Sequence, residues 1–335
     1  MKNISVGISG VGSYVPEKIL TNDDLSKMVD TNNEWIVSRT GIEERRIVDK
    51  DTACSEIATK AALKALEDAN ANPEDIDLII VATATPDYIF PATACIVQKN
   101  IGATKAAAMD MSVGCSGFIY ALSTGANFVS LGVYKKVLVI GAETLSKVVN
   151  WNDRNTCILF GDGAGACILE ECEEGYGILS YDLGSDGTNH EVLIIPAGGS
   201  KYPASLQTVT ENLHTIQMDG KEVFKFAVRI LEKTTLNVLE KANLQLKDLD
   251  FLIPHQANNR IIDAALKKLS LTGDKVYVNL NKYGNMSAAS IPVAFDEAVK
   301  KGRIKKNDNI VLVAFGAGLT WGSMVVKWNK EGINV

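Results

Sequence analysis

The chain has 335 residues, of which 46% are hydrophobic and 22% are charged, and its formal net charge is −6 at pH 7. This composition supports a large hydrophobic core in one large or two medium domains and excludes a disordered chain. The negative charge argues against nucleic acid as the main partner, and no apolar run reaches the roughly 18 to 20 residues of a membrane span. Because the first residues also lack the apolar region of a signal peptide, we expect a cytoplasmic protein.

The first elements in chain order are a glycine pair, a helix and a strand. Gly10 and Gly12 begin like a dinucleotide-binding loop, but the third glycine of that fingerprint is missing, so the match is weak. Apolar residues at helical spacing predict a helix over residues 55–70. A continuous apolar run then predicts a buried strand over residues 78–81.

Cys115 lies between strand-like sequence and a helical pattern over residues 118–131, with Gly114 and Gly117 on either side. The positive end of the helix dipole favours the thiolate, which is the nucleophilic form of cysteine. The glycines leave room for a substrate carbonyl to approach the sulfur. Cys115 is therefore a candidate nucleophile, although a buried filler role is the common alternative, and we expect that role for the other five cysteines.

Two candidate polar residues follow in the second part of the chain. His255, one of only three histidines, comes after a predicted helix over residues 223–243, a buried strand over 251–253 and a proline. Active sites of α/β sheets form at such strand ends, although a half-buried histidine in a turn would fit the pattern too. Asn285 precedes a predicted helix over residues 291–300, where it could also serve as a helix cap.

An internal echo relates the two parts of the chain. Residues 66–70 recur at 239–243 and residues 75–77 recur at 248–250, and the offset is the same for both matches (239 − 66 equals 248 − 75). Each copy is predicted to be a helix end, a loop and a buried strand. The echo indicates an α/β protein with two similar halves, residues 1–174 with the cysteine and residues 175–335 with the histidine and asparagine.

Six motifs resemble those of one enzyme family and occur in the family's order. They are NEWIVSRTGI at 33–42, CSGF at 115–118, FGDGAGA at 160–166, PHQAN at 254–258, GNMSAAS at 284–290 and FGAGLTWG at 315–322. The pattern resembles β-ketoacyl-acyl-carrier-protein synthase III, within the thiolase-like superfamily. The resemblance implies an α/β thiolase-like duplicated fold, layered α-β-α-β-α, and a homodimer.

The resemblance also implies an acyltransferase that initiates fatty acid synthesis by decarboxylative Claisen condensation. Cys115 would take the acyl group of an acyl-CoA primer, with acetyl-CoA expected, while the backbone amides of Cys115 and Ala317 hold the oxyanion. His255 and Asn285 would donate hydrogen bonds to malonyl-acyl-carrier protein and stabilise its enolate. We expect no permanently bound cofactor and no metal, because coenzyme A enters as a thioester substrate.

Further residues take expected roles from the same motifs. Trp35 and Arg154 resemble the pair that holds the adenine of coenzyme A between them. The other expected coenzyme A contacts are Thr31, Arg39 and Asn258. The expected carrier-protein docking residues are Arg260, Lys225, Lys267 and Lys268, of which the lysines could equally be ordinary solvated side chains. Phe90 resembles the residue that closes the acyl pocket of the neighbouring subunit.

Several alternatives are weighed against this resemblance. A thiolase would need a late second cysteine, but the last one is Cys172; elongating synthases use two histidines, but His214 lacks the flanking pattern of His255. Ser112 and Ala317 depart from the family's usual residues, which leaves the preferred acyl group open. A condensing enzyme of secondary metabolism and a non-catalytic acyl-thioester binding protein remain alternatives.

Overall fold

The computed structural model describes residues 4–331, which form two main sheets with helices between and outside them. The strands are β1 (Val6–Tyr14), β2 (Ile19–Thr21), β3 (Glu44–Arg46), β4 (Leu78–Ala82), β5 (Ala107–Met111), β6 (Val137–Thr144), β7 (Asp162–Glu171), β8 (Gly177–Ser185), β9 (Leu193–Ile194), β10 (Gln217–Met218), β11 (Phe251–Pro254), β12 (Asn309–Gly316) and β13 (Thr320–Lys327). The helices are α1 (Asn22–Leu25), α2 (Asn33–Thr40), α3 (Cys54–Asp68), α4 (Thr93–Ile101), α5 (Gly117–Ser130), α6 (Leu206–Thr210), α7 (Gly220–Lys241), α8 (Asn259–Leu269), α9 (Leu280–Tyr283) and α10 (Ser290–Lys300).

The two main sheets have matching strand orders. The first is ordered β1-β7-β6-β4-β5 and the second β8-β13-β12-β11. In the first sheet β4 pairs in parallel with β5; at the same place in the second sheet Leu252 pairs in parallel with Val276. The order confirms the predicted duplication of the fold. The predicted division between residues 174 and 175 lies in the connection from β7 to β8 and stays a prediction.

Three hydrophobic cores arrange these elements in five layers. One core joins α3 and α4 to the outer face of the first sheet, and another joins α7 and α8 to the outer face of the second sheet. The central core contains α5 and α10 between the two sheets. The predicted α-β-α-β-α layering is therefore confirmed, and the two central helices are the ones that follow the Cys115 and Asn285 segments.

The predicted helices and strands exist, with ends that differ by a few residues. The largest shift is in α7, which begins at Gly220 instead of residue 223, because the Asp219 carboxylate accepts hydrogen bonds from the first free backbone amides of the helix. The glycine pair of β1 is explained by packing, since a Cβ atom at Gly10 or Gly12 would strike the backbone of α3 at Ala65. These glycines allow close contact between strand and helix and do not form a dinucleotide-binding loop.

The echo extends to backbone details. Asn70 and Asn243, which are equivalent positions of the two copies, both have left-handed backbone angles, with φ values of 49° and 56°. A short 3-10 turn precedes each central helix, at Gly114–Ser116 before α5 and at Ser287–Ala289 before α10, and the two turns are related by the same offset (287 − 114 equals 243 − 70). Within residues 4–331, no helix combines the length and apolar character that crossing a membrane requires.

Candidate active site

Cys115 lies in the 3-10 turn that precedes α5, against the end of β12 from the other half. A Cβ atom at Gly316 would lie only 2.6 Å from the backbone nitrogen of Cys115, so only glycine permits this approach. The Thr320 hydroxyl lies across the same junction, within hydrogen-bond distance of Ser116 Oγ at 3.2 Å and of the Val113 carbonyl at 3.3 Å. The two halves of the chain thus hold the candidate nucleophile from both sides.

The Cys115 side chain is buried, and its ionisation differs from the sequence-based expectation. Burial is the main cause that raises the pKa of the Cys115 thiol to about 12; the nearby Ser287 hydroxyl opposes this rise, and the charge of Glu143 adds to it. The sulfur is therefore a neutral thiol near pH 7. The predicted position before a helix is confirmed, but the predicted thiolate is wrong for the free protein, because desolvation outweighs the helix dipole.

His255 follows β11 and is almost completely buried, at 1% exposure. Its backbone N–H donates to the Val313 carbonyl at 2.8 Å, and its ring packs edge-on against Phe315 with centroids 5.5 Å apart. Burial lowers the pKa of His255 to about 3, so the imidazole is neutral near pH 7. Among the described residues no group hydrogen-bonds to Nδ1.

Asn285 precedes the 3-10 turn of the second half and is also buried. Its Oδ1 atom accepts a hydrogen bond from the Ser287 backbone N–H at 2.8 Å, and its own backbone N–H donates to the Leu159 carbonyl at 2.8 Å. Because the side-chain oxygen is occupied, the Nδ2 amide group is the part of Asn285 that remains for donation. Asn285 does not cap α10, whose N-cap is Ala289, so the capping alternative is wrong and its side-chain oxygen instead holds the backbone of the preceding turn.

One cavity of about 750 Å³ brings the three candidate catalytic residues together, since Cys115, His255 and Asn285 all line it. Its wall also contains other residues singled out in the sequence: Trp35, Arg39, Asn258, Arg260 and Lys225. A second cavity of about 220 Å³ meets the first at Cys115 and is lined by Ser112, Ala317 and mostly apolar residues such as Leu145 and Ile195. The sulfur thus stands between a large cavity of mixed polar and apolar lining and a small, mostly apolar one.

Five predicted site residues do not line either cavity: Arg154, Thr31, Lys267, Lys268 and Phe90. The Arg154 and Arg39 guanidinium carbons lie 5.3 and 4.9 Å from the centre of the Trp35 ring, so Arg154 already lies against this ring. Thr31 is nearby in the chain, with its hydroxyl buried. Lys267 and Lys268 are in the last turn of α8, and Lys268 pairs with Glu232 at 2.9 Å. Phe90 is 84% exposed, in an apolar loop with Tyr88 and Ile89.

Sequence reasoning missed two polar residues at the site, Glu143 and Ser287. Glu143 is near the end of β6 and is fully buried; Ser287 opens the 3-10 turn of the second half. Burial raises the pKa of Glu143 to about 7, although hydrogen bonds from Thr85, Ala84, Ser287 and Ala288 oppose that shift. The available signal was a single carboxylate that ends an otherwise apolar strand.

Other expectations about titratable residues are partly corrected. Cys54, Cys157 and Cys167 are buried as expected, but Cys172 is only half-buried and Cys95 is exposed on α4, so the buried-filler prediction is wrong for Cys95. In the described part of the chain, no group of three or more His, Cys, Asp or Glu side chains is arranged to hold a metal ion.

Comparison with known protein families and sequences gives the same family as the six motifs. Residues 109–187 match the family model of 3-oxoacyl-[acyl-carrier-protein] synthase III, and residues 239–328 match the model of its C-terminal region. A β-ketoacyl-[acyl-carrier-protein] synthase III of Caldanaerobacter subterraneus subsp. tengcongensis is 64% identical over 329 residues, covering 98% of this chain and 99% of the relative. The predicted resemblance is thereby confirmed at the level of sequence.

Solved structures support the same relationship. The 3-oxoacyl-[acyl-carrier-protein] synthase III of Aquifex aeolicus is 47% identical with a TM-score of 0.89, covering 96% of this chain and all of that one. The priming β-ketosynthase of the R1128 polyketide pathway is 33% identical with a TM-score of 0.91, and 98% of each chain is covered. The fold is therefore thiolase-like and the protein is an acyltransferase-type condensing enzyme. This chain belongs to the β-ketoacyl-[acyl-carrier-protein] synthase III family.

Proposed function

We propose that this protein condenses an acyl-CoA primer with malonyl-acyl-carrier protein, releasing carbon dioxide and forming the β-ketoacyl-acyl-carrier protein that begins fatty acid synthesis. The observation that carries the proposal is the convergence of Cys115, His255 and Asn285 on one cavity. Identity of 64% to a relative of that name favours fatty acid synthesis over secondary metabolism, since the polyketide enzyme is only 33% identical.

In the first half-reaction, the Cys115 sulfur attacks the thioester carbonyl of the primer and keeps the acyl group. The backbone amides of Cys115 and Ala317 are proposed to bind the oxyanion. Support comes from Gly114, next to Cys115: a Cβ atom there would lie 3.1 Å from the Ala317 nitrogen, so the backbone before Cys115 contacts the backbone at Ala317. Such preorganised donors stabilise a tetrahedral intermediate.

In the second half-reaction, His255 and Asn285 donate hydrogen bonds to the thioester carbonyl of the malonyl group. The negative charge of the enolate then forms against two neutral donors. Neutrality of His255 is supported by the lowered pKa, and donation by Asn285 is supported by the occupied Oδ1 atom. The enolate attacks the acyl-cysteine and regenerates the free sulfur.

The primer and the carrier protein are proposed to enter through the large cavity. Trp35 and Arg154 would hold the adenine of coenzyme A between them, and Arg39, Asn258 and Thr31 would line the remaining path. Arg260 and Lys225 line the mouth and suit an acidic carrier protein, with Lys267 and Lys268 behind them on α8.

The small cavity is proposed to hold the acyl group. About 220 Å³ of mostly apolar space accommodates acetyl and leaves room for short branched groups, so acetyl-CoA is the first primer to test. The exposed loop with Tyr88, Ile89 and Phe90 is the part of the surface that would meet the second subunit of a homodimer, with Phe90 reaching the partner's acyl pocket. Cytoplasmic location and the lack of a permanent cofactor stay predictions.

Acyl loading tests the proposal and separates it from a non-catalytic binding protein. Incubation with radiolabelled acetyl-CoA should leave a label on Cys115, and malonyl-acyl-carrier protein should then remove it as β-ketoacyl product. C115S should retain the fold, measured by circular dichroism, and lose at least about 1,000-fold in condensation rate. If acetyl-, isobutyryl- and hexanoyl-CoA all leave no label on the unmodified protein, the binding-protein alternative is correct.

A further inference from the structure

A fully buried carboxyl group that the proposed condensation does not use lies next to the small cavity without lining it. Glu143, near the end of β6, is fully buried, and within residues 4–331 it forms no salt bridge. A buried carboxyl group with no cation beside it is held only by its hydrogen bonds. The partners in those bonds therefore indicate what the group does.

The hydrogen bonds of Glu143 reach two separate segments of the chain. From the loop after β4, the Thr85 hydroxyl donates at 2.7 Å and the Ala84 backbone N–H donates at 3.1 Å. From the second-half turn, the Ala288 backbone N–H lies at 3.5 Å, the longest of these three contacts. One side chain thus connects the loop after β4 with the turn that precedes α10.

Strand β6 itself packs against the second-half turn. A Cβ atom at Gly141, two residues before Glu143, would clash with the Ala288 carbonyl oxygen, so only glycine fits there. Side chains two residues apart on a strand point to the same face, so Glu143 faces this turn as well. The contact between strand and turn therefore does not depend on the 3.5 Å bond alone.

Both segments held by this carboxyl group form walls of the small cavity. Ala84 and Thr85 line it, and so does Ser287, the neighbour of Ala288. The cavity measures about 220 Å³, reaches Cys115 and is the proposed site of the acyl group. The positions of these walls therefore limit which acyl groups fit on the sulfur.

The loop after β4 is fixed at its start and in its middle. The Thr85 hydroxyl donates to Glu143 and also accepts a hydrogen bond from the Thr144 backbone N–H at 2.8 Å. Further along, Asp87 accepts two hydrogen bonds from the start of α3, at 2.8 and 2.6 Å. Beyond these anchors the loop carries Phe90 to the surface, so Glu143 holds the part of the loop that lines the cavity.

We propose that Glu143 is a positioning residue that fixes the acyl cavity by holding Ala84 and Thr85 in place, and that it thereby restricts the primer to short acyl groups. The proposal rests on the proposed function and deepens it, because it assigns primer selection to a residue that does not touch the primer. Glu143 lines neither cavity, so its effect passes through the residues that it holds.

Glutamine has nearly the shape of glutamate but cannot replace its hydrogen bonds. A carboxylate accepts at both oxygens, whereas an amide accepts at one oxygen and its NH₂ group only donates. The Ala84 N–H lies 3.1 and 3.2 Å from the two oxygens of Glu143, so in E143Q it faces the NH₂ group whichever way the amide is turned. The wall at Ala84 is then no longer fixed and can yield to a larger acyl group.

Competition between acetyl-CoA and hexanoyl-CoA for Cys115, measured by mass spectrometry of its peptide, tests primer selection. The unmodified enzyme should load acetyl in preference. E143Q should lower the acetyl-to-hexanoyl ratio by at least about 10-fold, a change within the range that pocket contacts supply. T85V keeps the size of the side chain, removes the hydroxyl that bonds to Glu143, and should lower the ratio too. Because the ratio is measured within one sample, a general loss of stability or activity does not alter it.

D296N is the matched control for loss of a buried carboxyl group, because Asp296 is 2% exposed and bonds to Ser13 and Lys300, outside both cavities. It should keep the ratio of the unmodified enzyme. The E143Q/T85V double variant should shift the ratio no further than the larger single change, as expected for two partners in one contact.

Amide hydrogen exchange gives a readout that needs no substrate. Exchange in the segment 83–90 should be faster in E143Q and T85V than in the unmodified protein, and unchanged in D296N, because only the first two variants release the loop after β4.

Three results would overturn the proposal: an unchanged ratio in E143Q, an equal shift in D296N, or equal loading of both primers by the unmodified enzyme. Each of them leaves the condensation standing, since Cys115 is still labelled. If neither primer labels the unmodified protein, the proposed function is wrong and primer selection by Glu143 is wrong with it.

Discussion

The turns before the two central helices occupy equivalent positions in the duplicated fold and differ in chemistry. Both begin with a left-handed residue, Gly114 in the first half and Ser287 in the second, and each turn leads directly into its central helix. The strands that pack on them are also equivalent: Gly316 of β12 lies against the first turn and Glu143 of β6 against the second, at the offset that relates the turns (316 − 143 equals 287 − 114).

The residues at these equivalent positions make the site asymmetric, although the fold around it is duplicated. Glycines around the first turn let the backbone of the Cys115 turn lie directly against the backbone at Gly316 and Ala317. The second turn has side chains at the equivalent places: Ser287 lines the small cavity with Cys115, and Glu143 is buried against the backbone N–H of Ala288. The first turn holds the candidate nucleophile, and the second holds Ser287 next to Ala288, whose backbone N–H bonds to Glu143.

The largest expected effect separates the roles of the two turns in the two half-reactions. N285A removes a donor from the second turn, so malonyl decarboxylation should fall by roughly 100- to 1,000-fold, the usual cost of losing one such donor. Acyl loading at Cys115 should change far less, because the proposed oxyanion donors are the backbone amides of Cys115 and Ala317, which N285A leaves in place. Carbon dioxide release and acetyl labelling measure the two steps; an equal loss in both would contradict this division.

A smaller effect should appear in the pH dependence of stability. The pKa of Glu143 is raised from 4.5 to about 7, so its contribution to stability is fully present below pH 4.5 and is lost as the pH rises through 7. E143Q does not ionise and should gain stability relative to the unmodified protein, by up to about 3 kcal/mol between pH 5 and pH 8.

Urea unfolding at pH 5 and pH 8 measures this difference. His255 shows the opposite dependence, since its lowered pKa removes stability as the pH falls below 6.5, but it is present in both proteins and cancels. A constant stability difference at the two pH values would argue against an ionising Glu143.

The smallest expected effect compares the first residues of the two turns. S287G should change the free energy of unfolding by less than about 1 kcal/mol, because relief of the left-handed backbone offsets the lost hydroxyl contacts. The matched G114A variant should cost about 1–3 kcal/mol, since its Cβ atom would be held at φ +52°, 3.1 Å from the Ala317 nitrogen. Equal losses in the two variants would contradict the strain at Ser287.

The sequence predicted the elements better than it predicted the electrostatics of the site. Helical spacing and apolar runs located α3, α5 and β4, because those patterns report which face is buried. The family motifs singled out Cys115 and Asn285. The ionisation of the Cys115 thiol was predicted wrongly, because a local sequence shows the helix terminus but not how far the surrounding chain excludes water.

The burial of Glu143 could not be predicted from the local sequence either. A carboxylate at the end of an apolar strand is normally exposed to solvent, and only the packing of β6 on a distant turn, the one that contains Ala288, buries it. Likewise, no local sequence pattern indicates that the Arg154 guanidinium carbon lies 5.3 Å from the centre of the Trp35 ring. Contacts between distant segments determine both features.

The meeting of the two cavities at one sulfur atom has a kinetic consequence. In the proposed reaction, the acyl group on Cys115 would occupy the small cavity, while the outgoing and the incoming pantetheine arms would both need the large one. Free coenzyme A must then leave before the malonyl group on the carrier protein can enter. Turnover should therefore follow ping-pong kinetics, with parallel double-reciprocal plots. Product accumulation would then slow the enzyme by competition for a shared entrance, and a cell rich in unesterified coenzyme A would start fewer chains.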